Sequence, residues 1–223
     1  LLNWRKRLPS HATQPPQWYL YDEDLNRLIL MVDGYPKLVP NELVKPMPLT
    51  LKARDGTVLH GYVTRPAHAQ QPGPLIVLPH GGPAGRDVLD FNYWTQFLAS
   101  RGWAVLQVNF RGSSGYGGEF LQAGFKRRGL EMQDDLTDAA HYAIEQGIAD
   151  PERICIVGGS YGGYAALMGI VKTPELFRCA VSFAGVSDLR ALLTDKRRFL
   201  GYELGAERQL GAWWSDRDRL KAT

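Results

Sequence analysis

One serine stands where a nucleophile that attacks carbonyl carbon would need to be. In Ile154-Cys155-Ile156-Val157-Gly158-Gly159-Ser160-Tyr161-Gly162-Gly163-Tyr164-Ala165-Ala166-Leu167-Met168, an apolar β-type run meets a glycine-rich corner and then a helix-type run of small residues. Gly158-x-Ser160-x-Gly162 in that setting is the nucleophile-elbow pattern: the sharp turn pushes the hydroxyl out of the fold, and the glycines let neighbouring backbone come close. The start of the following helix adds free N–H groups and partial positive charge beside the place where an oxyanion would form. The spacing therefore predicts acyl-transfer chemistry at Ser160. Gly and Ser are also ordinary turn residues, and it is the flanking strand and helix that separate the two readings. Two other glycine-rich readings fail, because no Lys-Ser/Thr follows for a P-loop and no G-x-G-x-x-G opens a helix.

Elements must position that serine. Leu75–Leu78, Trp103–Val108, Ile154 onward and Cys179–Phe183 read as strands. Tyr93–Arg101, with Trp94, Phe97 and Leu98 on one face, and Gln133–Gln146, with Leu136, Ala140 and Ala143 on one face, read as helices between them. Strands alternating with helices imply a mostly parallel sheet covered on both faces. A hairpin precedes it, Leu49–Arg54 and Thr57–Val63 around Asp55-Gly56, a pair suited to a type I′ turn. Residues 1 to about 45 differ: Pro9, Pro15, Pro16, Pro36 and Pro40 punctuate two short strand-like runs, Trp18–Tyr21 and Arg27–Val32. A lone hairpin is marginal, so this piece is expected to pack on the main domain or on something outside the chain.

Ligands in parallel sheets bind at the carboxyl ends of the strands, where Ser160 lies. Two other strand ends carry unusual residues. His80-Gly81-Gly82-Pro83 sits where such folds supply one oxyanion N–H, the other coming from the residue after the nucleophile, here Tyr161. Gly82 is the preferred donor, with Gly81 next to it. His80 is read as ordering this loop rather than as the general base, which in this architecture follows the serine in chain order. The second end, Asn109-Phe110-Arg111-Gly112-Ser113-Ser114-Gly115-Tyr116-Gly117-Gly118, could line a substrate cleft with Tyr116 and with Arg111 holding a carboxylate or carbonyl. It could equally be structural, with Arg111 paired to an acid such as Asp135.

Composition narrows the classes. The chain has 223 residues, 44% hydrophobic and 22% charged, which suits one domain with an appendage. The net charge of +3 is spread over Arg5-Lys6-Arg7, Lys126-Arg127-Arg128 and Lys196-Arg197-Arg198, a pattern of solvated surface that argues against nucleic-acid binding. No apolar run reaches the ~18 residues of a membrane span. Cys155 and Cys179 lie in apolar strand-like runs and read as reduced core thiols; no metal-ligand spacing is present, and no cofactor is expected. The first residue is Leu, so the chain reads as starting inside a longer protein, with any targeting signal upstream and the cytoplasm as its expected setting.

Together, His80-Gly81-Gly82-Pro83, Asn109-Phe110-Arg111-Gly112-Ser113-Ser114-Gly115-Tyr116-Gly117 and Gly158-Gly159-Ser160-Tyr161-Gly162-Gly163-Tyr164 resemble the hydrolase domain of prolyl oligopeptidase family serine peptidases, and most of all its acylaminoacyl-peptidase-like branch. The resemblance covers about residues 47 to 223. It implies an α/β-hydrolase fold joined to a β-propeller, with residues 1–45 as the end of the propeller and its linker and 46–223 as the catalytic domain. It also implies Ser160 as nucleophile, Tyr161 and Gly82 as oxyanion donors through their N–H groups, and short peptides, N-acylated ones among them, as substrates.

One departure is large. A Ser-His-Asp site needs a histidine and an acid, yet His11, His60, His68, His80 and His141 all precede Ser160. The family's acid and base come after further strands, and a strand-helix-strand unit takes ~30 residues, whereas residues 164–223 already hold a helix, one strand and a helical, aromatic tract that includes Trp213-Trp214. Asp188 reads as the cap of the next helix rather than as the acid. The expectation is a catalytic domain incomplete at its C-terminus, inactive alone and with an exposed sheet edge that favours homo-oligomers. A carboxylesterase and a non-catalytic interaction domain are the competing readings.

Overall fold

The computed structural model describes residues 11–68, 70, 72–196, 207–212 and 214–223; Arg5–Arg7, Pro9, Arg197, Arg198 and Trp213 lie outside them. Two strands, β1 (Gln17–Asp22) and β2 (Arg27–Asp33), form a separate antiparallel hairpin. Six more build the central sheet: β3 (Met47–Lys52), β4 (Val58–Thr64), β5 (Gly73–Val77), β6 (Ala104–Asn109), β7 (Ala149–Gly159) and β8 (Cys179–Phe183). Their order is β3-β4-β6-β5-β7-β8, with β3, β4 and β6 paired antiparallel and β6, β5, β7 and β8 parallel. The helices between them are α1 (Tyr93–Ala99), α2 (Gly118–Gln122), α3 (Glu131–Glu145), α4 (Tyr161–Lys172) and α5 (Leu189–Lys196), with a short helix at Arg217–Ala222.

Alternate strand residues feed two layers. Leu75, Val77, Leu106, Val108, Ile154 and Ile156 pack with Leu136, Ala140 and Ala143 of α3 and Ala165 and Ala166 of α4. Ile76, Leu78, Val105, Cys155 and Val157 face the other way, against Trp94, Leu98 and Trp103. A β-branched or leucine side chain taken fully out of water stabilises by about 1.5–3 kcal/mol, so the middle strands, buried on both faces, anchor the carboxyl-end loops.

Three sequence expectations change in detail, and one open alternative is decided. The helix α1 ends at Ala99 and buries Thr95, Gln96 and Ala99; Phe97 is turned out, with the Arg101 guanidinium over its ring. The Asp55-Gly56 turn is not type I′. Lys52 pairs with Val58, Gly56 N–H bonds Ala53 O, and only Gly56 has positive φ (+87°), so the connection is a five-residue loop with its one left-handed residue a glycine. Residues 11–45 reach the main domain: Gln96 donates to Ala12 O and Val44 O and accepts from Val44 N, and Tyr35 packs on Phe91. Finally, Cys155 and Cys179 are not free thiols but a disulfide. They are ladder partners on parallel neighbours β7 and β8, with Cα atoms 4.7 Å apart, inside the range a disulfide spans. That register cannot be read from two apolar runs 24 residues apart. Asp188 does cap α5, its carboxylate accepting from Arg190 N and Ala191 N.

Candidate active site

Ser160 is the single residue between β7 and α4. It holds φ +57°, ψ −119°, and it is exposed. A non-glycine residue there costs of order 1–3 kcal/mol, so its surroundings must impose the geometry. They do so through close backbone contact. Ser160 N–H donates to Phe183 O (2.9 Å) and Tyr164 N–H to Ser160 O (3.1 Å). A Cβ on Gly158 would strike the Gly162 backbone, one on Gly162 the Pro79 carbonyl, and one on Gly163 would sit 2.7 Å from Gly185 Cα. The helix start is thus wedged among the ends of β5, β7 and β8, which is why glycine is required around the serine. The Ser160 hydroxyl does not cap α4 and has no hydrogen-bond partner among the described residues; the same holds for the Tyr161 N–H at the helix start.

The loop after β5 closes the other side. A Cβ built on Gly81 would come 3.6 Å from Ser160 Cβ, while Gly82 (φ +130°) is turned toward Ala84 and Gly85. Neither Gly81 N–H nor Gly82 N–H is bonded among the described residues. His80 holds this loop. Its Nδ1 lies 2.8 Å from Gly81 O, its Nε2 2.9 Å from Ser113 Oγ, and its ring stacks on Phe110 at 4.4 Å. Burial pushes its pKa down to about 4, against a smaller opposing pull from Gly81 O, so the ring is neutral near pH 7. With both nitrogens engaged, His80 orders the loop and does not serve Ser160. Of the other histidines, His60 stacks on Tyr116 and reaches Thr50 Oγ1, and His11 bonds Thr13.

Arg111 takes the structural of its two readings, paired to Asp135. It does not offer its guanidinium to a cleft: Nε and Nη2 donate to the fully buried Asp135 carboxylate (2.9 and 2.6 Å), Nη1 donates to Asp55 (2.7 Å), and the Arg111 N–H also donates to Asp135 (2.8 Å). The pairing with Asp135 holds the guanidinium protonated, and Arg111 keeps the Asp55 carboxyl below the usual carboxylate range. Tyr116 is half-buried; its hydroxyl accepts from Asn109 Nδ2 (2.8 Å), and its ring lies between His60 and Phe120.

Sequence reading missed a polar network beside the serine. A cleft of about 240 Å³ opens next to Gly81 and Gly159, walled by Trp94 and Phe183, with Asp87 at its edge. Asp87 Oδ1 accepts from Gln107 Nε2 (2.8 Å), its N–H donates to Asn109 Oδ1 (2.7 Å), and its Oδ2 is buried with no partner among the described residues. Burial pushes the carboxyl up to about 6. The hint in the sequence was two polar residues, Gln107 and Asn109, in a strand otherwise apolar. Among the described residues no group of His, Cys, Asp or Glu could hold a metal ion.

The sequence model of the prolyl oligopeptidase family matches residues 89–219, more than half of the chain. The chain belongs to the prolyl oligopeptidase family. It is similar to a dipeptidyl aminopeptidase BIII of Pseudoxanthomonas mexicana, 41% identical over 193 residues, 83% of this chain and 28% of that protein. Among solved structures it is similar to a Mycobacterium tuberculosis puromycin-hydrolyzing peptidase (27% identity, TM-score 0.83, 97% of this chain and 34% of that one). A Pyrococcus horikoshii acylaminoacyl peptidase is also similar (28%, TM-score 0.77, 96% and 34%). The fold is that of the family's α/β-hydrolase domain, with its mostly parallel sheet and helices on both faces. The chain spans about a third of the length of these relatives.

Proposed function

We propose that this chain is the nucleophile-bearing part of a serine peptidase that hydrolyses short peptides, N-acylated ones among them, through an acyl-enzyme on Ser160. The observation that carries this reading is the exposed Ser160 hydroxyl on a strained elbow, which is unbonded among the described residues, as are the nearby N–H groups of Tyr161, Gly81 and Gly82. In the reaction Ser160 Oγ bonds to the peptide carbonyl carbon and passes its proton to a base. The carbonyl oxygen takes up negative charge facing those N–H donors. The C–N bond then breaks as the amine leaves with the proton, and water releases the acyl group by the same steps in reverse roles. None of the five histidines bonds Ser160, so the base and the acid that orients it come from residues outside this chain, and residues 1–45 are the end of a propeller and its linker. The chain alone then turns over little or no substrate.

The test uses a protein of the relatives' full length that carries this chain. Peptide p-nitroanilides, with free and with acetylated N-termini, are expected to be cleaved, and Ser160→Ala is expected to lower kcat by about 10⁴-fold or more. Turnover that survives Ser160→Ala would sink the reading. Cleavage of p-nitrophenyl esters without cleavage of any amide would replace it with an esterase. Hydrolysis of peptides by the 223-residue chain alone would refute the external base.

A further inference from the structure

The loop after β6 carries a glycine-rich motif that the chemistry above leaves unused, and its side chains point at the loop that carries Gly81 and Gly82. Four contacts join the two. Asn109, fully buried, clamps the Asp87 backbone at both ends: Oδ1 accepts from Asp87 N (2.7 Å) and Nδ2 donates to Asp87 O (3.1 Å) and to the Tyr116 hydroxyl (2.8 Å). Ser114 N–H donates to Gly85 O (3.0 Å). Ser113, with no exposure, places its hydroxyl between His80 Nε2 (2.9 Å) and Phe110 O (2.6 Å). The Arg86 guanidinium fills the space a Cβ on Gly115 would need, so glycine there lets the two loops interlock. The brace is itself anchored, because Arg111, between Asn109 and Ser113, is bonded through both backbone and side chain to Asp135 on α3.

We propose that Asn109 is a positioning residue: it ties the segment 81–87 to the end of β6 and so fixes the Gly81 and Gly82 N–H groups relative to Ser160. The kinetic consequence rests on the peptidase reading; the mechanical one does not. A Gly82 N–H is worth transition-state stabilisation only if it meets the oxyanion at about 2.7–3.1 Å, and loss of one such donor costs about 10²–10³-fold in kcat. A loop released on one side forfeits part of that. A donor that meets the oxyanion only in the transition state lowers kcat when it is displaced, with little change in KM.

The experiment compares Asn109→Ala with the parent and with Thr137→Ala in the full-length protein. Among the described residues the Thr137 hydroxyl bonds only Gln133 O, within α3, so its loss is a mild stability change that removes no hydrogen bond to either loop. In Asn109→Ala, amide hydrogen exchange at Asp87 and Ser114 is expected to quicken at least about tenfold while α3 and α4 keep the parent rate. At the same time kcat is expected to fall about 10–100-fold with KM within about threefold. Thr137→Ala should change neither. Parent-like exchange at Asp87 and Ser114 in Asn109→Ala overturns the proposal, and so does a kcat no lower than that of Thr137→Ala. If the parent shows no Ser160-dependent turnover, the peptidase reading falls by itself and the exchange result decides the brace.

Discussion

At residue scale, two half-buried titrating groups flank the elbow and pull against each other. His80 has its pKa lowered from 6.5 to about 4, so the folded state resists its charging: that contribution to stability is whole above pH 6.5 and is lost as pH falls toward 4. Asp87 is raised from 3.8 to about 6, so the folded state resists its ionisation: the penalty is present above pH 6 and is relieved as pH falls toward 3.8. Between about pH 4 and 6 the two slopes oppose. Replacing Asp87 by Asn removes only the second. We expect Asp87→Asn to be more stable than the parent at pH 7, by about 3 kcal/mol at most, and the advantage to shrink to nothing near pH 4. Thermal unfolding of both proteins at pH 4, 5, 6 and 7 checks this, and a gap independent of pH would remove Asp87 from the account.

At element scale, the loop after β6 and α3 are joined by a buried ion pair. Asp135 has no exposed side-chain surface, and the Arg111 side chain has 9%. Such a pair gives little net stability against an apolar replacement, yet loss of one partner leaves a buried charge unpaired. Arg111→Met should therefore cost about 3–5 kcal/mol, and Arg111→Met with Asp135→Leu should recover part of that, since the buried Arg111 N–H then lacks its acceptor. Arg54→Ala, which breaks a pair between an exposed arginine and Asp138, should cost under about 1 kcal/mol. Urea unfolding of the three variants reads all of these; a double variant no better than the single one would contradict the buried-charge argument. The parallel ladder that brings Cys155 to Cys179 also supports the elbow, because β8 supplies Phe183 O to Ser160 N–H and leads to Gly185 beside Gly163.

At the scale of the whole molecule, β8 is the last strand of the sheet among the described residues, and one of its faces shows Val181 (51% exposed) and Phe183 (64%). An unpaired strand edge with apolar side chains invites pairing with another chain. The 223-residue chain is expected to elute from size exclusion at tens of micromolar as a species larger than its 24.9 kDa, and Val181→Lys is expected to restore the monomer. A monomeric parent would count against this. What the sequence by itself determined was local: the strand–elbow–helix around Ser160, the β-α alternation, the cap at Asp188, and the histidine that orders a loop. These rest on residue type and near spacing, because backbone preference and hydrophobic period act over a few residues. Only the tertiary structure decided that Arg111 turns to Asp135 and Asp55, that Cys155 faces Cys179, and that Asn109 grips Asp87. Each of these joins residues 22 to 56 positions apart. Strand order and register bring them together, and no local preference encodes that choice of partner.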